Sequence, residues 1–177
     1  MRWVVFLRAA NVGKHNRFRP SVLAKQLGKF GVINVGAVGT FVIREGVDEK
    51  TLRSAIVRNL PFKCDVMICR AKEIVDLVRD DPLKNERTDN DRRVFPTVMS
   101  KPPVSSARQG LALPLYAPTK ENWEVKIVQI KGMFALSSLA LRENPVYPNQ
   151  VIEKNFAVAT TTRSWNTIEK VAKILKA

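Results

Sequence analysis

The chain has 177 residues, 45% of them hydrophobic, with 30 Lys/Arg against 16 Asp/Glu and a formal charge of +14. That length fits one compact domain or two small subdomains, the apolar content excludes wholesale disorder, and no apolar run approaches the roughly 20 residues that span a bilayer. Arg2 to Leu7 is too short for a signal-peptide core, so a soluble protein of the cytoplasm with no membrane partner is expected.

Trp3-Val4-Val5-Phe6-Leu7 is a continuous apolar run, the pattern of a strand buried on both faces, and a largely polar loop follows from Arg8 to Arg19. Pro20 opens a helix in which Leu23, Leu27 and Phe30 recur at helical spacing, and Gly31 ends it. Val32 to Val35 and Phe41 to Ile43 read as a hairpin through the glycine-bearing turn Gly36 to Thr40. Asp48 is placed to cap a helix that runs to about Leu60 with Leu52, Ile56 and Leu60 in one stripe, and Cys64 to Cys69 follows as a strand. The order β-α-β-β-α-β predicts a split βαβ, ferredoxin-like subdomain over residues 1–80, with a connecting helix from Ala71 to Arg79.

Residues Asp80 to Asp91 read as a polar, solvated connector to a second α+β subdomain over 81–177. Its strands are expected at Arg93 to Met99, Leu111 to Leu115, Val125 to Ile130, Met133 to Leu139 and Val158 to Thr161; Pro96 assigns the first to a sheet edge or a bulge. Helices are expected from Pro148 to Phe156 and from Asn166 to Leu175, the second with Asn166 and Glu169 in capping-box spacing.

Chemistry-bearing constellations are few. Cys64 and Cys69, five apart in one predicted strand, fall on opposite faces and neither bridge nor share a metal; they read as apolar packing residues. No zinc, calcium or Walker spacing is present, so no metal or cofactor is expected. His15 is the single histidine, with no Ser, Cys or Asp placed beside it by spacing, so no catalytic residue is assigned and the reading leans away from an enzyme.

Charge is distributed unevenly. Residues 1–43 hold seven Lys/Arg and no acid, while the remainder holds 23 Lys/Arg against 16 Asp/Glu. The loop within this opening, with Arg8, Asn11, Lys14, Asn16, Arg17 and Arg19 ahead of a helix start, has the cations and amides that suit an anion. The competing reading is a solvated basic loop whose Asn side chains brace its turns. A second cluster, residues 160–167, gathers hydroxyls around Arg163 and Trp165; Arg163 is an anion-binding candidate and Trp165 a candidate to stack a base, against the alternative of a capped helix start with Trp165 in the core.

Arg8-Ala9-Ala10-Asn11-Val12-Gly13-Lys14-His15-Asn16-Arg17 resembles the RGINVGGxNK opening of domain-of-unknown-function family 1697, and Thr161-Thr162-Arg163-Ser164-Trp165-Asn166-Thr167 resembles its TTRNWNT element. The resemblance implies a bacterial α+β protein of two stacked, related ferredoxin-like subdomains with mainly antiparallel sheets. Ala9 stands where the family has a glycine, Val38-Gly39-Thr40 where it has Ser-Gly-Asn, and Ser164 where it has Asn. Three functional readings follow: a non-catalytic binder of a phosphate-bearing partner, nucleic acid or another polyanion; an enzyme on a small phosphorylated or nucleotide-like substrate held by Arg8 and Arg163; and an interaction module. No oligomeric state is read from the sequence.

Overall fold

The computed structural model describes residues 1–11, 16–87, 92–103, 112–142 and 146–177. The chain forms two compact units, residues 1–79 with 167–177 and residues 80–166. It is a mixed α and β structure with two sheets, all strand pairs antiparallel, and five α-helices among the described residues. No helix among those residues is long and apolar enough to cross a membrane.

In the first unit the order is β1 (Trp3–Leu7), α1 (Pro20–Gln26), β2 (Val32–Asn34), β3 (Thr40–Ile43), α2 (Glu49–Asn59), β4 (Val66–Arg70) and α3 (Ala71–Asp80). The sheet runs β2-β3-β1-β4, with Val5 opposite Phe41 on one side and Ile68 on the other. All five β1 residues are buried, which is why this strand tolerates an unbroken apolar run. Trp3, Val5, Leu7, Phe41 and Ile43 face Leu23, Leu27 and Phe30 of the α1 segment and Leu52 and Ile56 of α2, so these helices cover one face of the sheet. Asp48 Oδ1 accepts from Thr51 N–H at 2.8 Å and caps α2 as its position predicts.

Cys64 falls outside β4, which begins at Val66, so the opposite-face argument for the two thiols does not apply; Cys64 is half-buried in the approach to the strand and Cys69 is buried within it. The closing helix, α5 (Trp165–Lys176), also departs from expectation. From Thr167 onward it groups with the first unit, where Arg2 Nη1 donates to Leu175 O at 3.0 Å. It starts at Trp165, so Asn166 lies inside its first turn and is not the cap.

The second unit contains β5 (Arg92–Met99), β6 (Leu115–Ala117), β7 (Val125–Lys131), β8 (Phe134–Ala140), α4 (Pro148–Phe156) and β9 (Thr160–Thr162), with sheet order β6-β7-β8-β5-β9. β6 begins only at Leu115, after Pro114. Helix α4 packs Val151, Ile152 and Phe156 against Met99, Val125, Ile127, Ala135 and Leu139. The connector is not simply solvated: Leu83 is fully buried, residues Lys84–Arg87 form a 3-10 turn, Asp80 pairs with Lys131, and Glu86 pairs with Lys126 at 2.6 Å.

β5 corrects the reading of Pro96. The strand is interior, between β8 and β9, but β9 pairs only with Thr97, Val98 and Met99. At the next position Arg163 N–H donates to Pro96 O at 3.0 Å, and Pro96 has no N–H to return the bond, so the ladder stops there. Proline is thus accommodated where one side of an interior strand becomes an edge.

The hairpin turn carries one position that only glycine fits. Gly39 has φ of 73°, and a Cβ there would lie 2.8 Å from Leu7 Cβ, while its carbonyl accepts from Leu7 N–H at 2.8 Å. Gly39→Ala is expected to cost about 2–4 kcal/mol, from left-handed backbone plus overlap with β1. Urea unfolding monitored by far-UV circular dichroism measures it, and a loss under about 0.5 kcal/mol contradicts this account.

Candidate functional site

The loop after β1 is held by its own side chains. Asn11, with φ of 54°, donates from Nδ2 to Phe18 O at 3.0 Å and Ala37 O at 2.6 Å, while its Oδ1 accepts from Phe18 N–H at 2.9 Å. Its backbone N–H donates to Asn16 O at 3.1 Å. The Asn11 amide is therefore engaged as a brace joining the loop to the hairpin turn, the structural alternative weighed for it. Arg8 is tethered to the start of β4: its N–H donates to Asp65 O at 3.0 Å and its guanidinium lies 3.4 Å from Asp65 Oδ2. Arg17 and Arg19 are exposed and Asn16 is half-buried, whereas Lys14, Gly13 and His15 lie outside the described residues.

Sequence reasoning missed a second cationic surface on this unit. Lys50, Thr51, Ser54 and Arg58 share one face of α2, opposite the buried Leu52 and Ile56. With Lys29 and Phe30 they line a shallow cavity of about 430 Å³ that has no acidic residue in its wall among the described residues. Lys29, Lys50 and Arg58 are exposed. The helical spacing 50, 54, 58, on the side away from Leu52 and Ile56, is the available signal.

Charge segregates between the units. The first has 18 Lys/Arg against 7 Asp/Glu, a net +11, and the second has 12 against 9, a net +3.

The second unit holds the other candidate. Arg163 is buried, 7% exposed, and its Nη1 donates to Thr161 Oγ1 at 2.7 Å and Thr162 O at 2.9 Å; burial pulls its pKa down to about 10. Trp165 is 4% exposed and the Arg87 guanidinium sits 5.0 Å from its ring centroid, so it is a packed wall residue, in line with the core alternative weighed for it and not with an open stacking platform. A cavity of about 500 Å³ opens here, lined by Arg87, Arg92, Arg93, Val94, Phe95 and the Ser164-Trp165-Asn166 turn. Arg87 is held by Asp81, at 2.8 Å for one of its two contacts, and Arg92 lies over the Trp123 ring at 5.0 Å. Arg87, Arg92 to Phe95 and Ser164 to Asn166 meet because β9 pairs with β5, which no local spacing announces.

Among the described residues no group of three or more His, Cys, Asp or Glu could hold a metal. The departures from the family pattern have distinct local settings. Thr40 is fully buried and opens β3 opposite Phe6, and Ser164 lines the cavity just described. Ala9 has φ of 51°, the left-handed region a glycine would occupy without strain.

The fold and these sites define a two-unit antiparallel α+β protein with a basic first unit and an arginine-lined cavity in the second. A model of the family described as protein of unknown function (DUF1697) matches residues 1–128, and the chain belongs to that family. No match exists among curated proteins. Among solved structures the chain is similar to a conserved bacterial protein from Streptococcus pneumoniae, at 15% identity, with 98% of each chain covered and a TM-score of 0.66. At that identity the likeness shows the fold alone.

Two outcomes follow from the local geometry. Ala9→Gly is expected to stabilise the protein by up to about 1 kcal/mol, since relief of left-handed strain exceeds the added unfolded-state entropy; a lower denaturation midpoint for the variant contradicts this. Burial pushes both thiols up, Cys69 far more than the half-buried Cys64, which also feels Asp65. Iodoacetamide should therefore label Cys64 slowly near pH 8, faster as pH rises, and reach Cys69 only on unfolding; mass spectrometry of the alkylated native protein reads the order directly.

Proposed function

We propose that the protein is a non-catalytic binder of a phosphate-bearing polyanion, nucleic acid foremost, and that its first unit presents the contact surface. The observation that carries this reading is the segregation of charge: +11 of the +14 belongs to the first unit, where Lys29, Lys50 and Arg58 line an acid-free surface with the Thr51 and Ser54 hydroxyls. Spaced cations with interleaved hydroxyl donors suit a repeating phosphate backbone, and their field speeds encounter with it. Arg17 and Arg19 extend the cationic set; Arg8 contributes less because Asp65 offsets it.

The strand order β2-β3-β1-β4 with two helices on one face supports reading this unit as ferredoxin-like, a scaffold on which many functions are built, so the fold adds no weight to the assignment. A bacterial, cytoplasmic setting is part of the same proposal. The enzyme reading in which Arg8 and Arg163 clamp one substrate receives no comparable support. Arg8 is engaged by Asp65, and Arg163 is buried and bonded to Thr161 and Thr162.

Fluorescence anisotropy with duplex and single-stranded oligonucleotides at several salt concentrations tests the proposal. The logarithm of affinity should fall linearly with the logarithm of salt, and the triple variant Lys29→Gln, Lys50→Gln, Arg58→Gln should shrink the slope by roughly 2–3. Absence of a complex at low salt, or an unchanged slope in the variant, overturns this assignment.

A further inference from the structure

We propose that the cavity at the fork between β5 and β9 binds a small phosphomonoester of mononucleotide size, at a site separate from the basic face of α2. Where β9 leaves β5 after Thr97, no strand among the described residues pairs with Arg92 to Phe95 on that side. The Arg163 bond to Pro96 O shows which backbone groups face this edge. By the alternation of an antiparallel strand, the Val94 N–H and C=O face the same way, into the cavity.

Successive strand residues project to opposite faces of a sheet, so Arg92 and Arg93 approach this edge from its two sides. Both line the cavity. Arg93 is exposed, with no ion pair among the described residues. Arg87 is positioned by Asp81 and by Trp165, and Arg92 by the Trp123 ring, so neither guanidinium must be ordered from solution by a ligand.

The opposite wall is the start of α5, a helix of 12 residues whose positive dipole end suits an anion. Ser164 and Asn166 belong to the same wall, and the buried Trp165 Nε1–H has no acceptor among the described residues. Among the described residues the charged groups that line the cavity, Arg87, Arg92 and Arg93, are all cations. That set matches a ligand rich in acceptor oxygens and carrying two negative charges, which is a phosphomonoester.

Size and lining narrow the class further. A cavity of about 500 Å³ exceeds what free phosphate needs, and Val94, Phe95 and the Trp165 ring supply an apolar wall for an organic group. The second unit carries only +3, so nothing in its overall field draws a polyanion here; the cations are local and built in.

Isothermal titration calorimetry of the full chain at low salt, with adenosine 5′-monophosphate, ribose 5-phosphate, inorganic phosphate and adenosine, provides the test. The two phosphomonoesters should bind, inorganic phosphate more weakly, and adenosine not measurably. Arg93→Gln, at an exposed side chain, should weaken the monophosphate by about tenfold or more. Arg92→Lys, which keeps charge and loses the planar fork, should give a smaller loss. The Lys50→Gln, Arg58→Gln variant should leave this affinity unchanged even if it abolishes oligonucleotide binding, which separates failure here from failure of the polyanion reading. Any of four results overturns the inference: no monophosphate binding up to about 1 mM, equal binding of adenosine, an unaltered affinity in Arg93→Gln whose melting temperature matches the parent, or complete displacement of the monophosphate by an oligonucleotide.

Discussion

Burial of β1 on both faces is the constraint on which the first unit depends. Five consecutive apolar side chains leave the strand no polar surface, and its backbone is paired on both sides, to β3 and to β4. Polar chemistry can therefore begin only where the strand ends, at Arg8. From there the chain passes through left-handed conformations at Ala9, Asn11 and Asn16, and a loop of that shape must satisfy its own backbone groups. Asn11 does so by donating and accepting like a peptide unit inserted between Phe18 and Ala37. A motif that looks suited to holding an anion is, at this residue, occupied in holding the loop together.

The two units use cations differently. In the first, lysines and arginines stand on an exposed helical face with no carboxylate in the wall of the groove, so their effect is a field over a surface. In the second, three arginines near the fork have specific settings, Asp81 and Trp165 for Arg87, Trp123 for Arg92, and a pair of threonines for Arg163. A field of the first kind is screened by salt within about 10 Å, whereas geometry of the second kind persists.

Local physics was legible in the amino-acid sequence and assembly was not. The apolar run of β1, the Leu52 and Ile56 stripe and the Asp48 cap each express a period or a cap within one element, and each forms as read. Pro96 was misassigned because a proline in a strand signals one unpaired side, and sequence does not say whether that side is open along the whole strand or at one residue. The carboxyl end of α5 joins the first unit through Arg2 and Leu175, 173 positions apart, a pairing without local trace. Likewise, Arg92 and Arg93 adjoin at the head of a strand, yet their meeting with Ser164 and Trp165 depends on a three-residue pairing far along the chain.

The fork at Pro96 has a consequence beyond topology. Most openings between strands are held against a closed alternative, in which the ladder zips one pair further and the gap disappears. Here the next rung requires a hydrogen atom that the imino acid does not possess. The missing bond is therefore written into the covalent chain, and two residues further on the opposing chain has already become helix α5 at Trp165, so β9 does not extend along Val94.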